Sequence, residues 1–434
     1  MCIICFLKDN YQYNLRKSSM LRSDRMEHTL DKYKYTFIDV FKNNLNRFCT
    51  LHNNEINIKI NNILTEIDKQ NIINFFDTLR KVYMAWINSQ ISKSIELLQQ
   101  LLKKYKILYS RSITQSDILF RGRKSKDFIS HWDMFHIPFN KRYLIENQRY
   151  SLTGQPILYL SSSPYGVIRE LETTENIRIS TFRMAKNVSF NVYENINKFN
   201  DIILENKKHT PKDSADYILN NNIISNTEEI KTNFFKMILA SCCSFKRRED
   251  TKRSSFSEEY ILPQVLTLVL KKYKYDGIKY ISTKAHTDDN IANFKNAINL
   301  LYSNTCLFTN YTEKQSKDVK NVYDRKLYNK FVLSNPTKYN ENISEFFYSI
   351  EESLEILGML NSVHIDSYYN GVIASIWNAL MDLSDFLKQL NKDAKDIPKE
   401  LYKTLNLHTF LLRNIILNIK ESTYKNFEGG FSHE

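Results

Sequence analysis

Apolar residues return at three- and four-residue spacing through much of the first hundred positions. Ile72, Ile73, Phe76, Leu79, Val82 and Tyr83 share one face, and Trp86, Ile87, Ile91, Ile95 and Leu98 extend it. This stripe predicts an amphipathic helix over about 70–105. A second helix is expected over 30–48, through Tyr35, Ile38, Phe41 and Leu45. The last hundred residues follow the same rule. Ile343, Phe346, Phe347 and Ile350 open one helix, and the run from Val372 through Trp377 to Leu390 makes another. Leu401 to Ile419 makes a third, after Pro398. Stripes of this kind are core packing, and no ligand is assigned to them. No internal repeat is visible.

The middle of the chain has a different pattern. Ile118–Phe120, Ile157–Leu160, Ile177–Phe182 and Ile278–Ile281 are short β-type runs. Ser163–Leu171 and Pro263–Lys271 read as helices, the second with Pro263 near its first turn. Glycine and proline sharpen the division. The chain holds 8 and 7 of them, none before Gly122, and nine of the fifteen fall between 120 and 280. Turns and strands need these residues where helices avoid them. The expected fold is α+β, a central small mixed sheet flanked by helical regions. The regions are 1–110 (helical), 111–335 (the α+β domain) and 336–434 (helical).

Composition adds less. Lys and Arg exceed Asp and Glu by 13, which favours anionic partners, yet the excess is dispersed in short pairs such as Lys103-Lys104 and Arg247-Arg248. A solvated lysine-rich surface accounts for most of it, and no nucleic-acid recognition motif accompanies it. The six cysteines, at 2, 5, 49, 242, 243 and 306, make no disulfide framework and read as reduced cytoplasmic thiols. Cys2-x-x-Cys5 has metal-ligand spacing, but no second pair follows at finger-like distance, so no metal is expected. No apolar run is long enough to span a membrane, and the start of the chain is too short for a signal h-region.

The densest chemistry lies between His136 and Glu170. His136-Ile-Pro-Phe-Asn-Lys-Arg142 is followed by Arg149-Tyr-Ser-Leu-Thr-Gly154 and by Leu158-Tyr159-Leu160, with Glu170 eleven residues after Tyr159. Cations, aromatics and a carboxylate so close together suit a site, because buried charge must be paired. Arg121 and Glu170 could equally form a structural ion pair. Tyr159 could be a core aromatic, and Ser282 is a hydroxyl no more distinctive than Ser162, Ser163 or Thr283. The Glu258-Glu259 pair reads as a solvated helix start or a local charge partner. His131 and His136 lack the carboxylate–histidine motif of a metal site.

In order, Phe120-Arg121-Gly-Arg123, Arg149-Tyr-Ser-x-x-Gly154, Leu158-Tyr159-Leu160, Glu170 and Asp276-Gly-Ile-Lys-Tyr-Ile-Ser282 resemble the elements of the RES domain family. Leu327-Tyr-Asn-Lys-Phe331 resembles its final strand region, so the likeness covers about 115–335. The resemblance implies a fold similar to ADP-ribosyltransferase toxins and cleavage of the nicotinamide–ribose bond of NAD+, by phosphorolysis or hydrolysis. It implies a toxin or defence effector, NAD+ as substrate with no further cofactor, inorganic phosphate as co-substrate, and a regulatory or antitoxin partner. The helical regions would serve regulation or self-association.

Glu170 would be the carboxylate that stabilises oxocarbenium charge on the ribose. Arg121 and Arg149 would bind the pyrophosphate bidentately, with Arg123 beside them. Tyr159, with Tyr150, would stack on the cationic nicotinamide, and Ser282 would position it by hydrogen bonding. Two departures stand out. The glycine expected before the arginine is Gln148, and an insert at 195–257 separates Glu170 from Ser282. Two other readings remain at this point. One is ADP-ribose transfer to a macromolecule, and the other is a non-enzymatic, basic nucleic-acid-binding interaction protein.

Overall fold

A computed structural model describes residues 1–18, 21, 25–108, 110–114, 117–199, 227–248, 256–284, 301–317 and 322–339, with helical pieces between 354 and 419. The helix expected to open at Ile343, most of the 195–257 insert and the ends of the last two stripes lie outside the described residues.

Among the described residues the α-helices begin with α1 (Ile3–Leu7), α2 (Asp9–Lys17), α3 (Met26–Asn44), α4 (Glu55–Thr65), α5 (Lys69–Ile87) and α6 (Ile91–Lys104). They continue with α7 (Pro164–Leu171), α8 (Thr227–Cys242), α9 (Ile261–Lys272), α10 (Glu313–Lys317) and α11 (Arg325–Tyr328). The strands are β1 (Ser110–Ile113), β2 (Ile118–Lys124), β3 (Ile157–Ser161), β4 (Ile177–Met184) and β5 (Phe190–Asn195). After them come β6 (Gly277–Ile281), β7 (Ser303–Phe308), β8 (Phe331–Leu333) and β9 (Thr337–Lys338). The protein is α+β. No helix among the described residues is long and apolar enough to cross a membrane.

The chain forms two compact units, neither continuous in sequence. The first comprises Met1–Ser110, Ile145–Gln155 and Tyr193–His286; the second comprises Arg111–Leu144, Pro156–Val192 and Thr287–Glu434.

Aromatic packing holds the first unit together. Phe37 of α3 meets Phe6 of α1 at 5.1 Å, Phe76 of α5 at 5.5 Å and Phe234 of α8 at 5.9 Å between ring centroids. Tilted and edge-on rings at these separations add to the burial of their large apolar area. The stripe at 70–105 is two helices rather than one. After Ile87 the chain turns through Asn88, Ser89 at φ 60° and Gln90, whose amide donates to the Ala85 carbonyl at 2.8 Å. That bond satisfies an orphan carbonyl at the helix end, and the left-handed residue reverses the chain. Ile87 and Ile91 flank the turn and are exposed, so they leave the stripe.

The second unit is built on antiparallel pairing in the order β7-β3-β2-β4-β8, with β9 also paired to β4. Alternation along β2 sends successive side chains to opposite faces. Phe120 joins Val167 and Ile168 of α7 with Ile177 and Ile179 of β4, and Leu407 and Leu411 close that cluster. Leu119 faces the other way, with Met134, Phe135, Leu158, Leu160 and Phe182. Gly122 lies under α7, because a β-carbon there would stand 2.3 Å from Val167 Cγ1. Of the stretch expected as the final strand region, Leu327 and Tyr328 end a helix, Asn329 and Lys330 form a turn, and only Phe331 is strand. Asp324 caps α11 by accepting from the Leu327 amide, and β8 starts only at Phe331.

Candidate functional site

The ladder between β2 and β3 has one registered pair, Phe120 with Ser161. Next along β2, a side chain takes over. Arg121 donates from Nη1 to the Tyr159 carbonyl at 2.7 Å. Arg123, two residues on and on the same face, donates from Nη2 to the Phe135 carbonyl at 3.0 Å. The Nε of each is buried and has no hydrogen-bond partner among the described residues. Burial and the adjacent Arg123 charge pull the Arg121 pKa well below the ordinary guanidinium range, and burial lowers that of Arg123. Two half-buried cations thus stand side by side, each tied to a neutral carbonyl; neither is ion-paired with a carboxylate among the described residues, although the Asp133 charge acts on Arg123. Such a pair is costly unless an anion completes it.

His136 borders this pair. Asp324 donates its amide to Nε2 at 2.9 Å, so Nδ1, 2.7 Å from the Ile137 carbonyl, carries the proton. Burial pushes its pKa down to about 4, and the Arg121 and Arg123 charges act in the same direction against Ile137 and Asp324. His136 is therefore a neutral spacer that ties the loop after β2 to the start of α11.

Glu170 stands near the end of α7. Its Oε1 accepts from Asn304 Nδ2 of β7 at 2.8 Å. The register pairs Ser161 with Asn304 and Tyr159 with Cys306, which places Tyr159 and Asn304 on the α7 side of the sheet. Arg121 and Arg123 project from the opposite side, and Arg121 meets Tyr159 through the backbone. Glu170 does not pair with Arg121. α7 itself starts from a dedicated cap: Ser163 Oγ accepts from the Gly166 amide at 2.9 Å and donates to the Leu301 carbonyl at 2.7 Å. Gly166 has no room for a side chain there, since a β-carbon would lie 2.3 Å from Ser161 Oγ.

The other expected residues belong to the first unit. Arg149 is buried, donates to the Cys243 carbonyl at 2.9 Å and to Thr283 Oγ1 at 3.4 Å, and lies 4.8 Å from the Tyr260 ring centre. Tyr150 is fully buried against Tyr280, and its hydroxyl accepts from Asn195 Nδ2 at 3.0 Å. Ser282 is buried and its Oγ accepts from the Lys284 amide at 3.2 Å. Glu259 is a local charge partner, accepting from the Arg248 amide at 3.1 Å and 3.9 Å from Arg248 Nε.

Sequence reasoning missed two features. Asn304 fixes Glu170, yet it sits in a strand, Ser303–Phe308, whose six buried residues carry no polar–apolar alternation. The first unit also holds a basic cavity lined by Arg16, Lys17, Lys246 and Arg248 with Glu258 and Glu259. Arg16 Nε and Nη1 are buried there with no hydrogen-bond partner among the described residues.

No family model matches the chain, and no solved structure matches it. Among curated proteins, "Putative toxin YopC" of Bacillus subtilis (strain 168) is 30% identical over 197 residues. The match covers 41% of this chain and 39% of that protein, so the chain spans well under half of the relative's length. The chain is similar to a protein named as a toxin.

Proposed function

We propose that this protein is an NAD+-degrading toxin that cleaves the nicotinamide–ribose bond, with phosphate or water as the attacking group. The observation that carries the reading is the half-buried Arg121–Arg123 pair, whose Nε atoms are buried without a hydrogen-bond partner among the described residues and of which only Arg123 feels a carboxylate, Asp133. A pyrophosphate supplies the missing negative charge in the form that guanidinium groups recognise best. The Tyr159 carbonyl accepts from Arg121, while its ring, on the α7 side of the sheet with Glu170, offers an aromatic face for a cationic ring. Glu170, oriented by Asn304, is the carboxylate available to an oxocarbenium-like ribose. Similarity to a protein named as a toxin agrees with an activity that depletes a shared cofactor.

The test is NAD+ consumption by the purified chain, with and without inorganic phosphate, beside Arg121→Ala and Glu170→Ala. Nicotinamide release that needs both side chains supports the reading, and a phosphorylated ADP-ribose product identifies phosphorolysis. Absence of both turnover and NAD+ binding under every condition would sink it.

A further inference from the structure

Cys2 and Cys5 are not alone. The loop from the end of α3 to α4 brings Cys49 and His52 to them, a second pair at x-x spacing that lies forty-four residues from the first in sequence. The four ligand atoms all lie within 4.8 Å of one another. Cys2 Sγ and Cys5 Sγ are 3.4 Å apart. The Nδ1 of His52 is 3.4 Å from Cys2 Sγ, 3.5 Å from Cys5 Sγ and 3.0 Å from Cys49 Sγ.

We propose that Cys2, Cys5, Cys49 and His52 form a structural zinc site that fastens the start of the chain to the α3–α4 loop. Zn–S bonds of ~2.3 Å and a Zn–N bond of ~2.0 Å in a tetrahedron require ligand–ligand edges of roughly 3.5–3.8 Å, close to the distances observed. Three sulfurs and one imidazole converging on a point favour zinc over a hard cation such as magnesium or calcium. With four protein ligands no position is left for water, so the site is structural rather than catalytic. The surrounding backbone is arranged for it. The Cys5 amide donates to Cys2 Sγ at 3.3 Å, the His52 amide to the Cys49 carbonyl at 3.0 Å, and the Ile3 amide to the Arg47 carbonyl at 2.9 Å. Each x-x turn is thus closed by its own bond, and a third bond clasps the two segments. Outer bonds of this kind orient ligands before the metal arrives. A disulfide between Cys2 and Cys5 would use two of these groups and leave the convergence of Cys49 and His52 without a purpose.

The experiment uses the full chain, tagged at its C-terminal end and purified under reducing conditions from zinc-sufficient medium. Elemental analysis should find about one zinc per chain. Exchange with cobalt(II) should give the intense visible absorption of a tetrahedral thiolate complex. His52→Ala and Cys49→Ser should lose the metal. His52→Cys, which restores a fourth ligand, should keep it, and this variant separates loss of a ligand from loss of fold. The proposal is overturned if the folded wild-type chain holds no zinc and gives no cobalt spectrum. It is equally overturned by a Cys2–Cys5 disulfide under these conditions, or by zinc that persists in both His52→Ala and Cys49→Ser.

Discussion

Gly122 and Val167 meet where β2 has no side chain to separate them: a β-carbon on Gly122 would lie 2.3 Å from Val167 Cγ1 and 3.2 Å from Leu171 Cδ1. The helix carrying Glu170 rests on this gap. Gly122→Ala should therefore push α7 outward and cost about 1–3 kcal/mol, as overpacking in a filled core does. Denaturant unfolding measures the loss. The companion Gly122→Ala/Val167→Ala should recover part of it if the contact is the cause.

The Glu170–Asn304 bond separates chemistry from positioning. Glu170→Gln keeps the shape and removes the charge, and should lower NAD+ turnover by roughly 100-fold or more. Asn304→Ala leaves the carboxylate but frees its orientation. Its loss should be smaller, about 10-fold, and should fall on kcat rather than KM. Equal losses in the two variants would argue against a positioning role for Asn304.

Arg121→Lys tests whether the guanidinium matters for its charge or for its fork. Lysine retains a cation but cannot both hold the Tyr159 carbonyl and present paired donors to an anion. NAD+ affinity should fall about 10-fold or more even though net charge is unchanged. Titration calorimetry reads this directly.

His136 makes stability sensitive to acid. Its folded pKa of about 4 lies below the ordinary 6.5, so the unfolded chain takes up a proton first as pH drops. The stabilisation is complete above about 6.5 and is lost as pH falls toward 4. The full effect is about 3 kcal/mol. Unfolding free energies across this window should show the slope, and His136→Asn should flatten it.

The strongly patterned parts of the fold were legible. The runs at Ile118, Ile157, Ile177 and Ile278 are strands, and Pro164–Leu171 and Ile261–Lys272 are helices, because period and punctuation agreed there. The break at Ser89 was not legible, since a left-handed serine leaves no mark in a hydrophobic stripe. The family resemblance assigns the Leu327 stretch to a strand region, while Asp324 caps a short helix there that ends at Tyr328. Residue type and order nominated Arg121, Arg123, Tyr159 and Glu170 as candidates. What could not be read was which side of the sheet each one serves, because that depends on register with β7. The Cys49–His52 pair escaped for a related reason. The two pairs lie far apart along the chain, and the α3–α4 loop closes that distance in space.

The interleaving of the two units has a consequence for synthesis. The first unit needs Phe37 from α3 against Phe234 from α8, and its last segment reaches His286. The second unit takes Leu407 and Leu411 into the core under α7. The ribosome releases the chain from its N-terminal end, so α1 to α6 emerge long before the partners that complete their core. A fragment spanning 110–335 would carry α8 and α9 without α3 and α5, and it should be recovered as an aggregate rather than as a folded core. Neither unit can finish folding before most of the chain has been translated, so a cell making this protein would meet any activity late, all at once, and only from nearly full-length molecules.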